Sequence, residues 1–86
     1  MTEKQREMID RIKTLRADAV VDAIVYPTNN KSYEWEIGID VMRELDDIYP
    51  VLHLLNIPEE KLMLMGYPVR VNREDTHVIK LWAEVK

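Results

Sequence analysis

Tyr33-Glu34-Trp35-Glu36-Ile37-Gly38-Ile39 is the stretch on which the fold turns. Apolar Tyr33, Trp35, Ile37 and Ile39 alternate with Glu34, Glu36 and Gly38. That period of two marks a strand, because successive side chains point to opposite faces. One face is apolar and the other carries carboxylates, so the strand is half-buried. Gly38 interrupts it, and a bulge or a close backbone approach is the usual reason for such a glycine.

Upstream, Pro27-Thr28-Asn29-Asn30-Lys31-Ser32 reads as a polar loop. Before it, Val20, Val21, Ile24, Val25 and Tyr26 are β-branched or aromatic and favour a strand at roughly 20–26. Ala17 to Ala23 compete with that reading by extending the preceding helix. The helix itself is well marked. Thr2 and Gln5 have capping-box spacing, and Met8, Ile12, Leu15 and Ala19 recur at helical intervals. Its narrow apolar stripe and wide charged face suit a surface helix packed on one side, or one that meets another chain.

Downstream, Asp40 can cap a helix over 40–49, in which Val41, Leu45 and Ile48 share a face. Pro50 starts a short helical turn and Pro58-Glu59-Glu60 a second. Gly66 closes that region as a helix C-cap or turn residue. Val69 and Val71 begin a strand, Asn72-Arg73-Glu74-Asp75 makes a hairpin turn, and Thr76 to Val85 form the last strand. There Ile79, Leu81, Ala83 and Val85 share one face, and Val78, Lys80, Trp82 and Glu84 the other. The expected fold is a single α+β domain over 1–86. It has a small mainly antiparallel sheet, an N-terminal helix, a central helix and a C-terminal β-hairpin.

Composition narrows the functions. The net charge is -4, and residues 17–63 hold ten acids against three bases. An acidic middle argues against nucleic acid, which needs clustered Lys and Arg. There is no cysteine, hence no disulfide or thiolate ligand, which fits a reducing, cytoplasmic setting. Met1 to Arg6 are charged and lack an apolar h-region, which argues against a secretory signal. No apolar run approaches the ~20 residues of a membrane span.

No catalytic, metal-binding or cofactor-binding residue is assigned. His53 and His77 lack the convergent partners of a metal site. Glu34 and Glu36 lie ~7 Å apart on one strand face, a separation that some hydrolase carboxylate pairs share, but alternating acids are commonly a solvated face. Asp46-Asp47 and Glu59-Glu60 suit solvated helix ends, and no serine or threonine sits in a nucleophile elbow. Gly38 and Gly66 are the only glycines, so no glycine-rich loop cradles phosphate.

What remains is surface. Trp82, with Lys80 and Glu84 beside it, lies opposite the apolar face of its strand. It is either covered by another element, such as the first helix, or exposed as an interface anchor. Tyr33 and Trp35 are second-choice interface residues. The Leu62–Met65 run reads as core, although methionine also adapts to partner surfaces.

One passage carries a resemblance. Ile24-Val25-Tyr26-Pro27, a helix ending at Leu45, and then Leu62-Met63-Leu64-Met65-Gly66-Tyr67-Pro68-Val69-Arg70-Val71 are followed by an extended tail. The L-x-G-Y-P-V-x-V part is similar to a passage in the major capsid proteins of tailed phages. It also resembles small phage or prophage proteins that carry a G-x-P-V-x-V strand. The resemblance implies a phage-type origin and a binding role.

The sequence therefore points to a non-enzymatic protein–protein interaction module, virion-associated or host-factor-binding. It would dock on a protein partner or on itself as a homo-oligomer, without nucleic acid, membrane or cofactor. The alternative is a small-molecule or nucleotide-binding protein with Tyr67 and Met65 on a pocket wall. A small hydrolase using Glu34/Glu36 or His77 as acid or base ranks third.

Overall fold

A computed structural model describes residues 1–26 and 31–85, and the alternating stretch lies at its centre. β1 (Lys31–Gly38) is flanked on both sides in a four-stranded sheet of order β2-β3-β1-β4. β2 is Met63–Leu64, β3 is Tyr67–Asn72 and β4 is Ile79–Val85. β1 pairs antiparallel with β4 and parallel with β3, and β2 pairs antiparallel with β3. Trp35 and Ile37, fully buried, face Val69 and Val71 on one side and Leu81 and Ile79 on the other. Matching parity across three strands gives the sheet one apolar face, as the alternation predicts. The side chain of Val85 lies outside the described residues.

Two helices cover that face. α1 spans Glu3–Val25 and α2 spans Ile39–Ile48. α1 starts with the expected capping box: Gln5 N–H donates to Thr2 Oγ1 at 3.1 Å, and Thr2 N–H donates to Gln5 Oε1 at 3.0 Å. Three short 3-10 turns follow α2, at Pro50–Leu52, Leu54–Asn56 and Glu59–Lys61. The core gathers Ile12, Trp35, Ile37, Val41, Met42, Leu45, Leu54, Leu62 and Val69.

Four expectations are corrected. The strand at 20–26 is the end of α1, which runs to Val25. Helix propensities of Val and Ile lie within about 0.7 kcal/mol of alanine, too little to stop a helix already anchored through Ile9, Ile12 and Ala19 and tied at Asp22 to Lys31 and Tyr33. The helix ends at Tyr26, immediately before Pro27, where the α conformation is sterically disfavoured. The expected polar loop at 27–32 is shorter: Lys31 and Ser32 already belong to β1, and 27–30 lie outside the described residues. Ile39 begins α2 rather than ending β1, so the cap position falls on Gly38, and Asp40 stands in the first turn.

The fourth correction concerns topology. Asn72–Asp75 does not turn β3 into a hairpin with β4, because β1 lies between them. Asn72 Oδ1 accepts from the backbone N–H groups of Glu74 and Asp75, and the chain then crosses the end of β1. Gly38 N–H donates to the Val78 carbonyl at 2.8 Å, and Asp40 N–H donates to the Thr76 carbonyl at 3.0 Å. The hairpin that does form is β2–β3, where Met65 (φ 51°) and Gly66 (φ 91°) are the two turn residues. Positive φ at both positions is the type I′ signature.

The crossover depends on Gly38. A Cβ built there would lie 2.1 Å from the Thr76 carbonyl carbon and oxygen and 2.6 Å from the His77 nitrogen. All three are backbone atoms, so no side chain can rotate away. Gly66 differs: nothing lies within 4 Å of a Cβ there, and only its φ resists substitution. Gly38→Ala is expected to lose about 3 kcal/mol or more in denaturant unfolding. Gly66→Ala should lose about 1–2 kcal/mol. Equal losses would count against the close-approach account.

Candidate functional site

The helices do not fully close the core. Where α1, the end of α2, the 3-10 turns and β2 meet, they leave an apolar groove of about 420 Å³. Ile9 and Ile12 form its α1 wall, Leu45 and Tyr49 its α2 wall, and Leu52, Leu54 and Ile57 its base along the 3-10 turns. Met63, Leu64 and Met65 complete it, and among the described residues Lys13 is the only charged one in its lining. Beside the groove, Arg16 donates from Nε to the Met65 carbonyl at 3.4 Å.

Several lining side chains also face solvent. Tyr49, Leu52, Met63 and Met65 are exposed, as are Val51 and Leu55 in the adjoining turns. Large apolar patches on small domains mark binding surfaces. Met65 adds a second signal. It occupies a left-handed position that costs a side-chain-bearing residue roughly 1–2 kcal/mol, where Asn or Gly would be easier. The strained position carries an apolar side chain into the groove lining.

The residues expected at an interface divide. Trp82 is exposed at 51%, so the uncovered alternative holds and α1 does not shield it. It stands on the sheet face opposite the helices, across from Glu34 in register, and Lys80 and Glu84 share that face. A notch of about 250 Å³ there is lined by Glu34, Arg70, Trp82, Ala83 and Glu84. Arg70 Nε lies 3.5 Å from Glu34 Oε1, and Glu36 is flanked in register by Arg70 and Lys80. The two glutamates therefore belong to a charge-balanced solvated face.

Trp35 and Tyr33 are on the other face. Trp35 is in the core, and its indole Nε1–H donates to the Leu64 carbonyl at 2.9 Å. It therefore cannot serve as an interface residue. Tyr33 is half-buried and stacks at a tilt on Tyr67, with ring centroids 5.4 Å apart. Its hydroxyl donates to Asp22 Oδ2 at 2.9 Å, and Lys31 Nζ reaches the same oxygen at 2.9 Å. This trio fastens the end of α1 to the start of β1. Tyr67, expected on a pocket wall together with Met65, packs on the core instead; Met65 does line the groove.

The two histidines lie apart, one on the 3-10 turns and one on the crossover. His53 is exposed in a left-handed conformation between two 3-10 turns. His77 Nε2 lies 3.8 Å from Asp40 Oδ2, and Thr76 Oγ1 lies 3.1 Å from His77 Nδ1. Asp40 is held below its ordinary pKa by a hydrogen bond from Thr76 and by the His77 and Arg43 charges. The cluster ties the crossover to the first turn of α2. Among the described residues no three His, Cys, Asp or Glu side chains could hold a metal ion, and no helix is long and apolar enough to cross a membrane.

The groove escapes a reading of the sequence because its walls come from four parts of the fold, α1, the end of α2, the 3-10 turns and β2 with its turn. The available signal is Leu52, Leu54, Leu55 and Ile57 beside Met63 and Met65, more apolar side chains than one small core can enclose. Comparison with protein-family models, with curated proteins and with solved structures finds no match to the chain.

The trio at Asp22 makes a pH prediction. Hydrogen bonds from Lys31 and then Tyr33 hold the Asp22 carboxyl below its ordinary pKa, and Lys31 is raised by the same bond. A carboxyl depressed in the folded state contributes stability above its unfolded pKa, lost as pH falls through the folded value. Asp22→Asn should therefore be less stable than wild type at neutral pH. The two unfolding midpoints should converge below about pH 4. A constant gap across the acid range would show that the bond is not charge-assisted.

Proposed function

We propose that this chain is a non-enzymatic protein-binding module that receives the apolar face of a partner's amphipathic helix in the groove between α1 and α2. The observation that carries this reading is the exposed apolar lining: Tyr49, Leu52, Met63 and Met65 meet solvent around an otherwise core-like groove. Helix-in-groove recognition uses such a surface, with apolar anchors at helical spacing. Methionine suits it because the unbranched thioether adapts to the shape it meets. Lys13 and Arg16 stand along one side, so the partner helix is expected to carry acidic residues beside its apolar face. The phage-type origin and cytoplasmic setting belong to the same proposal. The first rests on the Leu64–Val71 passage, the second on the absence of cysteine.

A second reading has its own support. The groove volume falls in the range of small-ligand sites, and its lining is almost wholly apolar. A small apolar molecule would then occupy it instead. Such a ligand raises native-state stability in proportion to its occupancy.

Met65→Asn separates binding from folding. Asparagine tolerates the left-handed turn position, so the variant should be at least as stable as wild type while losing an apolar wall. Retention of a partner from cells that express the protein should persist in Trp82→Ala and fall sharply in Met65→Asn and Leu52→Asp. If Trp82→Ala alone abolishes retention, the docking surface is the open sheet face around Lys80, Trp82 and Glu84. If wild type retains nothing that Met65→Asn loses, and fatty or aromatic acids raise the melting temperature of wild type only, the small-ligand reading replaces the first.

A further inference from the structure

α1 carries a second apolar stripe, on the side away from the sheet. Successive helical residues turn by about 100°, so Ala17, Val21 and Ile24 fall within about 60° of one another. Ile12 and Ala19 are buried on the opposite side of the helix, and Ile9 is buried on the flank between. All three outer residues are exposed, Ile24 at 72%, and Val25 beside them is exposed as well. No element of the described chain covers them. Spacings of four and then three residues are those of a coiled-coil seam. Val21, Ile24 and Val25 are also β-branched, a poor choice for a solvent-facing helix surface on propensity alone.

We infer that this stripe is a self-association surface on which α1 of a second copy packs in parallel, making a two-fold symmetric dimer. The flanking residues decide both occupant and direction. With Val21 at one seam position and Ala17 and Ile24 at the other, Lys13 and Val20 lie along one flank and Asp18 and Val25 along the opposite one. A parallel pair in register sets each flanking residue against the residue five positions on in the other copy. Lys13 then meets Asp18 of the second copy, and Val20 meets Val25 of the second copy. Two-fold symmetry repeats both contacts. An antiparallel pair centred on Val21 would set the Asp18 carboxylate beside Val25 instead. Among the described residues, neither Lys13 nor Asp18 has an ion-pair partner within its own chain. The seam spans two helical turns, less than the ~1,200 Å² of a standard interface, so the dimer is weak.

This surface is separate from the groove, apart from Lys13 on the ridge between them, and its test does not depend on the groove. Sedimentation equilibrium into the millimolar range should show wild type, Met65→Asn and Trp82→Ala moving from monomer towards dimer alike. Ile24→Glu, at an exposed position, should keep its circular dichroism spectrum and remain monomeric. Asp18→Lys and Lys13→Glu should each dimerise a few-fold more weakly, because each sets like charges together. An equimolar mixture of those two variants should associate again, because both cross-chain pairs in the mixed dimer then join opposite charges. A wild type that stays monomeric, or an Ile24→Glu variant that dimerises equally well, overturns the surface. A mixture no stronger than its components overturns the parallel arrangement.

Discussion

A single hydrogen bond from a buried side chain organises this domain. Trp35 is the largest fully buried side chain, and its indole N–H needs an acceptor because a buried donor left unpaired costs about 1–3 kcal/mol. The acceptor is the Leu64 carbonyl, which belongs to a two-residue strand too short to stand alone. The β2–β3 hairpin therefore has two roles: Val69 packs beside Trp35 in the sheet, and the hairpin supplies the acceptor that lets a tryptophan be buried there. Trp35 in turn needs a strand on each side of β1. That requirement forces the chain after β3 to pass over the end of β1, at Gly38, before β4 can close the sheet. Burial of one side chain, the hairpin turn and the position of one glycine are thus parts of one constraint.

Much of this is legible in the sequence, and the failures have physical causes. The Tyr33–Ile37 alternation and the Thr2–Gln5 cap are local patterns and appear as written. The β-branched run at 20–26 misleads because strand propensity is largely a statement about packing context. Here the context is a helix already anchored along its inner stripe, with Asp22 placed to receive Lys31 and Tyr33. The terminal hairpin misleads for a different reason. Adjacency in sequence favours pairing, but β1 competes for the same edges with two large apolar side chains to bury. Gly38 does mark a close approach, one of the two reasons its place in a strand suggests. What approaches it is not readable, since the Thr76 backbone lies far away in sequence.

The candidate surfaces show the same division. Strand parity shows that Trp35 and Tyr33 share a face, and that Trp82 opposes the apolar side of β4. It does not say whether the face opposite the apolar one is also covered. Both helices sit on the Trp35 side, and Trp82 faces outward because it pairs with Glu34 rather than with Trp35. The groove has no local pattern at all. Its lining is assembled from α1, the end of α2, the 3-10 turns and β2, a tertiary fact that no window of sequence contains.

The groove and the core are not independent. Ile12, Leu45 and Leu54 belong to both, so each contributes one side to the packed interior and another to the open cleft. A domain of this size encloses a limited apolar volume, and without disulfides it has no covalent restraint on unfolding. An occupant seated against Ile12 and Leu54 would extend that interior outward and remove apolar surface from water. Binding at this site would therefore stabilise the fold through the same side chains that hold Trp35 in place. The strained Met65 turn fits that proposal: its cost falls on the free protein, while the contact it would enable needs a filled groove.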